Sequence, residues 1–166
     1  MSTALFIGRF QPLHKGHLAV ITQLSKNHDL VKIGIGSAQY RNTRDNPLSA
    51  AERRTMLQKT LKEARIRNTR IFFIPDIHDN GRWVAHVKRI VGLFDVVHSG
   101  NALVLRLFRE NGVPIRCITE IQPYASTRIR AAIAAGRSVR SKVPGAVCHY
   151  LEFIDAFTRI RKLSHR

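Results

Sequence analysis

The chain has 166 residues, which suits one domain (1–166) with a core of its own. Its 28 Lys and Arg against 11 Asp and Glu leave a formal net charge of +17, which predicts attraction to polyanions. Two cysteines, Cys117 and Cys148, stand in no metal-ligand spacing and exclude a disulfide framework; they read as buried thiols of a reducing cytoplasm.

Apolar runs and helical patterns alternate. Thr3–Gly8 is apolar enough for a buried strand, and the helix after His17 carries Leu18, Ile21 and Leu24 on one side. Val31–Gly36 reads as the second strand. Ser49 with Glu52 three residues on is a capping box, opening a helix that continues through Met56, Leu57, Leu61 and Ala64. Ile71–Ile74 is the third strand, and Val84, Val87 and Val91 mark the next helical face. Phe94–His98 is the fourth strand; Ser99-Gly100-Asn101 turns into a helix carrying Leu103, Val104, Leu107 and Phe108, stopped by Gly112 and Pro114. Ile115–Thr119 is the fifth. Helices follow from about Ser126 and from about Pro144 to the C-terminus, where Val147, Leu151 and Ile154 suit core or subunit contact equally. Strands separated by helices predict an α/β fold: a Rossmann-like parallel five-stranded sheet, helices on both faces, and C-terminal helices. No apolar run approaches membrane-spanning length, and no leader precedes the first strand.

The segment Gly8-Arg9-Phe10-Gln11-Pro12-Leu13-His14-Lys15-Gly16-His17 lies at the exit of the first strand, where α/β sheets receive ligands. Gly8 lets a ligand approach closely, and Pro12 stops the strand. His14 and His17, three apart at a helix start, share a face, and Gly16 leaves no side chain in the way. First-turn amides carry partial positive charge, so phosphate is a natural guest, with Arg9, Lys15 and both imidazoles as further donors. A single histidine near a helix start is usually structural. Two around a glycine after a strand point to function.

Other strand ends carry weaker signals. Gly34–Gln39 lacks the dinucleotide fingerprint, which rejects a dehydrogenase-type bound NAD; its glycines also suit an ordinary turn. Arg41–Pro47 reads equally as a solvated loop or a ligand loop. Trp83, the chain's one tryptophan, is a core residue or a platform for a flat cationic ring. Asp76 and Asp79 would bond a ligand or cap the following helix, and Asn101 caps the next. At Ala125–Arg130, hydroxyls and amides at a helix start together with Arg130 suit phosphate, although an ordinary cap also fits.

His14-Lys15-Gly16-His17 resembles the H-x-G-H signature of the nucleotidyltransferase superfamily, and Gly8–Pro12 resembles the archaeal-type nicotinamide-nucleotide adenylyltransferases. The likeness runs over nearly the whole chain. It implies a nucleotidyltransferase domain moving AMP from ATP to nicotinamide mononucleotide (NMN), giving NAD and pyrophosphate. It assigns catalysis to His14 and His17, and triphosphate contact to Arg9, Arg44 and Arg130. Gly8, Phe10, Lys15, Gly16, Gly100, Asn101, Ser126 and Thr127 would surround ATP, and Gly36, Ser37, Gln39, Asn80 and Trp83 would receive NMN. The superfamily's S-x-T-x-x-R signature is matched by Thr127 and Arg130, but its first serine is Ala125 here; either Ser126 compensates or that contact is dispensable. Magnesium (Mg2+) would come with ATP and bridge phosphates, with no protein metal site.

The cysteine usage implies a cytoplasmic location, and the resemblance implies a homo-oligomer. Alternatives are another H-x-G-H enzyme acting on pantetheine phosphate, FMN precursors or a polyol phosphate, and a nucleic-acid-binding regulator suggested by the charge. The charge is spread along the chain, densest at Arg128, Arg130, Arg137, Arg140 and Lys142, without a low-complexity basic tail, which disfavours nucleic acid.

Overall fold

The computed structural model describes residues 1–119 and 124–165. Five parallel strands, β1 (Thr3–Gly8), β2 (Leu30–Gly36), β3 (Thr69–Ile74), β4 (Val96–Ser99) and β5 (Ile115–Cys117), form one sheet in the order β3-β2-β1-β4-β5. Between and after them run α1 (Lys15–Asn27), α2 (Ala50–Glu63), α3 (Asn80–Val91), α4 (Ala102–Glu110), α5 (Ser126–Ala134), α6 (Gly145–Phe153) and α7 (Ala156–Ser164). The strand order switches between β1 and β4, and right-handed crossovers carry α3 and α4 to the same face of the sheet, where they pack together.

Contacts group into two compact units. The first holds Met1–Arg9, Val20–Ala38 and Asn68–Thr119; the second holds Phe10–Ala19, Gln39–Arg67 and the described residues from Tyr124 onward.

The first unit contains the sheet. The central strand β1 is buried along Thr3–Ile7, whereas the edge strand β3 buries only Ile74 fully. That gradient is what a parallel sheet covered on both faces produces. Leu5, Ile7 and Val97 of the sheet pack with Val84, Val87 and Val91 of α3 and Leu107 and Phe108 of α4. Two N-caps set the helix starts: Asp79 Oδ1 accepts from the Arg82 N–H (3.1 Å), and Asn101 Oδ1 accepts from Leu103 and Val104 (2.9 and 3.2 Å). At the other end of α3, the Lys32 ammonium donates to the carbonyls of Val91 and Leu93.

The second unit is helical. Its core draws on Met56, Leu57 and Leu61 of α2, Ile129 and Ile133 of α5, Val147 and Leu151 of α6, and Ile160 of α7. The capping box at Ser49 is formed in both directions, Ser49 Oγ to Glu52 N–H and Glu52 carboxylate to Ser49 N–H. Glu52 also pairs with Arg159 of α7 at 2.8 Å. Burial pushes the Glu52 carboxyl up, but Arg159 and the Ser49 amide outweigh it and hold the group below its usual value. The start of α6 has no side-chain cap of its own, and Glu63 of α2 accepts from its Ala146 N–H at 3.3 Å.

Several expectations are corrected. The C-terminal helix is two helices, broken at Asp155, whose φ of 50° lies in the left-handed region. On α4 the buried positions are Leu105, Leu107 and Phe108, and Leu103 is exposed. The fourth strand starts at Val96 rather than Phe94, and the fifth ends at Cys117 rather than Thr119. Cys117 is exposed; Cys148 is buried, and both thiols are free. Val147 and Leu151 are core, with Ile154 half-buried.

Gly34 lies where the sheet has no room for a side chain: a Cβ there would collide with Ile74 Cδ1 and stand 3.4 Å from Ile7 Cγ1. Gly34→Ala is expected to cost about 1–3 kcal/mol, read as a fall in thermal midpoint. Gly36→Ala, whose Cβ would meet nothing nearer than 3.8 Å, should leave the midpoint almost unchanged.

Candidate active site

The second unit builds the imidazole end. His14 precedes α1 and His17 lies in its first turn, and their rings stack with centroids 3.6 Å apart and planes 22° from parallel. The stack is held by two reciprocal bonds. The His14 N–H donates to His17 Nδ1, and the His17 N–H donates to His14 Nδ1, both at 3.2 Å. An Nδ1 that accepts leaves the proton of a neutral imidazole on Nε2, so both rings are fixed as Nε2–H donors. Burial lowers His14 to about 4, and burial followed by repulsion from His14 takes His17 well below its ordinary value. Both rings are therefore neutral near pH 7.

The reciprocal bonds change the expected donor set. The backbone amides of His14 and His17 are used on the rings, and the Lys15 N–H donates to the Lys142 carbonyl at 3.0 Å. The polar hydrogens that this pair presents are therefore the imidazole Nε2–H groups rather than the amides of His14, Lys15 and His17. Gly16 permits the close packing: a Cβ there would stand 3.0 Å from His14 Nδ1 and 3.2 Å from Tyr124 Cβ. Phe10, buried with φ of 52°, lays its ring 4.8 Å from that of His17. Lys15 is exposed.

Arg130 and Ser126 of α5 grip the same turn. Arg130 is buried, and its Nη1 donates to the Gln11 carbonyl at 2.9 Å. The Ser126 hydroxyl donates to the Pro12 carbonyl at 3.0 Å, so it anchors the turn. Ala125 is the N-cap residue of α5 and supplies no side-chain cap. Thr127 is exposed in the first turn of α5, as are Gln39, Arg44 and Asp45 before α2. The Asp45 carboxylate is 3.7 Å from Arg130 Nη2.

The first unit, taken by itself, carries a row of strand ends. Gly8 ends β1 and the exposed Arg9 follows it, Gly36 ends β2 with Ser37 after it, and Gly100 and Asn101 follow β4. Ser37, at φ of 50°, donates its hydroxyl to Asp76 Oδ2 at 2.8 Å across the ends of β2 and β3. Of the two aspartates considered, Asp79 is thus the helix cap and Asp76 the brace of Ser37. Asn80 is exposed at the start of α3. Trp83 is half-buried, edge-to-face on Phe108 with centroids 5.7 Å apart, so the indole is partly core. Asn101 is the cap of α4, as its ordinary reading held.

Gln11 is the working residue that motif reading left without a role. It is buried, and its side-chain amide meets one backbone unit twice: Nε2 donates to the Leu48 carbonyl (2.8 Å) and Oε1 accepts from the Leu48 N–H (3.0 Å). Its partner lies 37 residues away, so no local pattern announces it.

Residues 5–75 match the Cytidylyltransferase-like family model. The chain is 40% identical to a nicotinamide-nucleotide adenylyltransferase of Thermoplasma acidophilum over 97% of its length and 91% of the relative's. It is likewise 40% identical to the enzyme of that name from Methanococcus aeolicus, over 97% of this chain and 94% of the relative. Among solved structures, a bifunctional NMN adenylyltransferase/ADP ribose pyrophosphatase from Francisella tularensis, complexed with AMP and a Mn ion, superposes with a TM-score of 0.76 at 22% identity. That match covers 99% of this chain and 53% of the neighbour, and it shows a shared fold.

The depressed imidazole pKa values set a pH dependence. As pH falls from about 6.5 to 5, the unfolded chain takes up protons that folded His14, His17 and His98 refuse, so stability falls with pH in that window. His98 is lowered by burial first, then by His28 and Arg116. Urea midpoints between pH 7.5 and 5 should decline, and His14→Gln should make the decline shallower.

Proposed function

The chain belongs to the nicotinamide-nucleotide adenylyltransferase family, and on that premise we propose that it transfers the adenylyl group of ATP to NMN, giving NAD and pyrophosphate, with residues 1–166 acting as a single nucleotidyltransferase domain. The observation that carries the reading is the stacked, neutral pair His14 and His17, each held with its proton on Nε2. Such a pair offers two preoriented donors to phosphate oxygens and no nucleophile. That suits direct displacement: a 5′-phosphate oxygen of NMN forms a bond to the α-phosphorus as the bond to the β-phosphate oxygen breaks. Positioning and charge neutralisation do most of the work in such transfers.

The roles follow from this reading. His14 and His17 donate to the phosphates as charge develops. Arg9, Arg44 and Arg130 neutralise the triphosphate, with Lys15 nearby in sequence. The start of α5, at Ser126 and Thr127, carries no side-chain cap, which supports a phosphate there. Gly8, Phe10, Gly16, Gly100 and Asn101 shape the ATP side. Gly36, Ser37, Gln39, Asn80 and the indole of Trp83 take NMN, whose pyridinium ring suits an aromatic face.

A divalent cation travels with ATP, which the AMP and Mn ion in the Francisella tularensis neighbour support, and we take it to be magnesium. Among the described residues no group of three His, Cys, Asp or Glu side chains gathers to hold an ion. The donor set fits an ion held by phosphate oxygens and water, where it would neutralise phosphate charge. Among the described residues no helix is long and apolar enough to cross a membrane. We place the chain in the cytoplasm, as a homo-oligomer, on the strength of the family and the two free thiols.

Incubation with ATP, magnesium and NMN should yield NAD, identified by mass, and absence of NAD would reject the reading. His17→Ala should lower kcat about 100- to 1000-fold with a much smaller change in ATP affinity, the usual scale for losing a preorganised donor.

A further inference from the structure

Arg130 is a buried cation whose two nitrogens face different parts of the second unit. Nη1 is committed to the Gln11 carbonyl at 2.9 Å. Nη2 faces the Asp45 carboxylate at 3.7 Å, longer than the 2.7–2.9 Å of a charge-assisted hydrogen bond. Asp45 is attracted there without being tightly bonded, and its side chain remains 75% exposed.

The surrounding loop presents that carboxylate deliberately. Thr43 N–H donates to the Asn46 carbonyl (3.2 Å) and Asn46 N–H donates to Thr43 Oγ1 (3.0 Å), closing a turn with Arg44 and Asp45 at its tip. The loop's C-terminal end is pinned at Leu48 by the Gln11 amide, and Gln11 is itself held by Arg130. Asp45 is the only acidic residue between Gln39 and Pro47. One short turn thus offers a cation and an anion, and the anion is directed at the guanidinium assigned to the triphosphate.

We propose that Asp45 is an internal stand-in for phosphate: its carboxylate occupies the Nη2 side of Arg130 in the free protein, and a polyphosphate must displace it to bind. The inference rests on the reading of Arg130 as a phosphate ligand. Asp45 then sets affinity for ATP and for pyrophosphate alike. It weakens both by the free energy of its own ion pair, and it re-forms that pair as pyrophosphate leaves. The single carboxylate competes with one phosphate group, so a polyphosphate that also engages other cations displaces it readily.

The probe is inorganic pyrophosphate, titrated calorimetrically in low salt with EDTA, so that no carboxylate–metal contact contributes. Asp45→Asn should tighten pyrophosphate about two- to fivefold, the scale of a partly exposed ion pair. In an Arg130→Met background the same change should lose that gain, a coupling that a general charge effect does not produce. If Arg130→Met fails to fold, Arg130→Lys serves, and the gain should be reduced by at least half. Unchanged or weaker binding in Asp45→Asn overturns the proposal, as does tightening that persists undiminished without the guanidinium. NAD formation by the unaltered protein, measured separately, distinguishes failure of this inference from failure of the catalytic reading.

Discussion

Two imidazoles stacked at 3.6 Å repel each other when both are charged, and the turn after β1 is built around keeping them neutral. Each ring accepts a backbone N–H at Nδ1, so protonation of that nitrogen would break a bond as well as bury a charge. The sequence elements around the pair serve that constraint. Gly16 is small because an added Cβ would stand 3.0 Å from the His14 ring. Phe10 accepts a left-handed backbone while its ring closes on His17. The result is a pair of hydrogen-bond donors whose orientation is fixed by the fold, which in the proposed transfer would lower the reorganisation needed.

Charge is handled differently a few residues away. Arg130 cannot lose its proton, so its burial is compensated by acceptors: the Gln11 carbonyl and the Asp45 carboxylate. Gln11 connects this guanidinium to Leu48, and therefore to the loop that carries Arg44 and Asp45. The same economy appears at Glu52, which caps α2 and pairs with Arg159, and at Glu63, which accepts from the start of α6. In a chain with a formal net charge of +17, a carboxylate that serves two partners has an outsized role. Arg128 and Arg137, by contrast, are exposed.

Much of this was readable from local pattern. The capping box at Ser49 and Glu52, the cap at Asn101 and the run Thr3–Gly8 each depend on residues within a few positions of one another, and each formed as read. Misreadings arose where packing overruled pattern. Leu103 and Leu105 are both leucines on one helix, and only the neighbours of α4 decide which is buried. The break at Asp155 has no glycine or proline to announce it; an aspartate tolerates the left-handed region well enough for the turn between α6 and α7. Cys117 is exposed because it sits on the three-residue edge strand β5.

By itself, the amino-acid sequence determined the alternation of strands and helices, the placement of candidate residues at strand ends, and the pairing of two histidines around a glycine. Those are consequences of short-range sterics and periodicity. Only the tertiary structure decided that the rings are neutral and Nε2-protonated, that Gln11 reaches Leu48, that Ser126 holds Pro12, and that Asp45 faces Arg130. Hydrogen bonding and desolvation depend on which groups meet in space, and these partners are separated by up to 114 residues of chain.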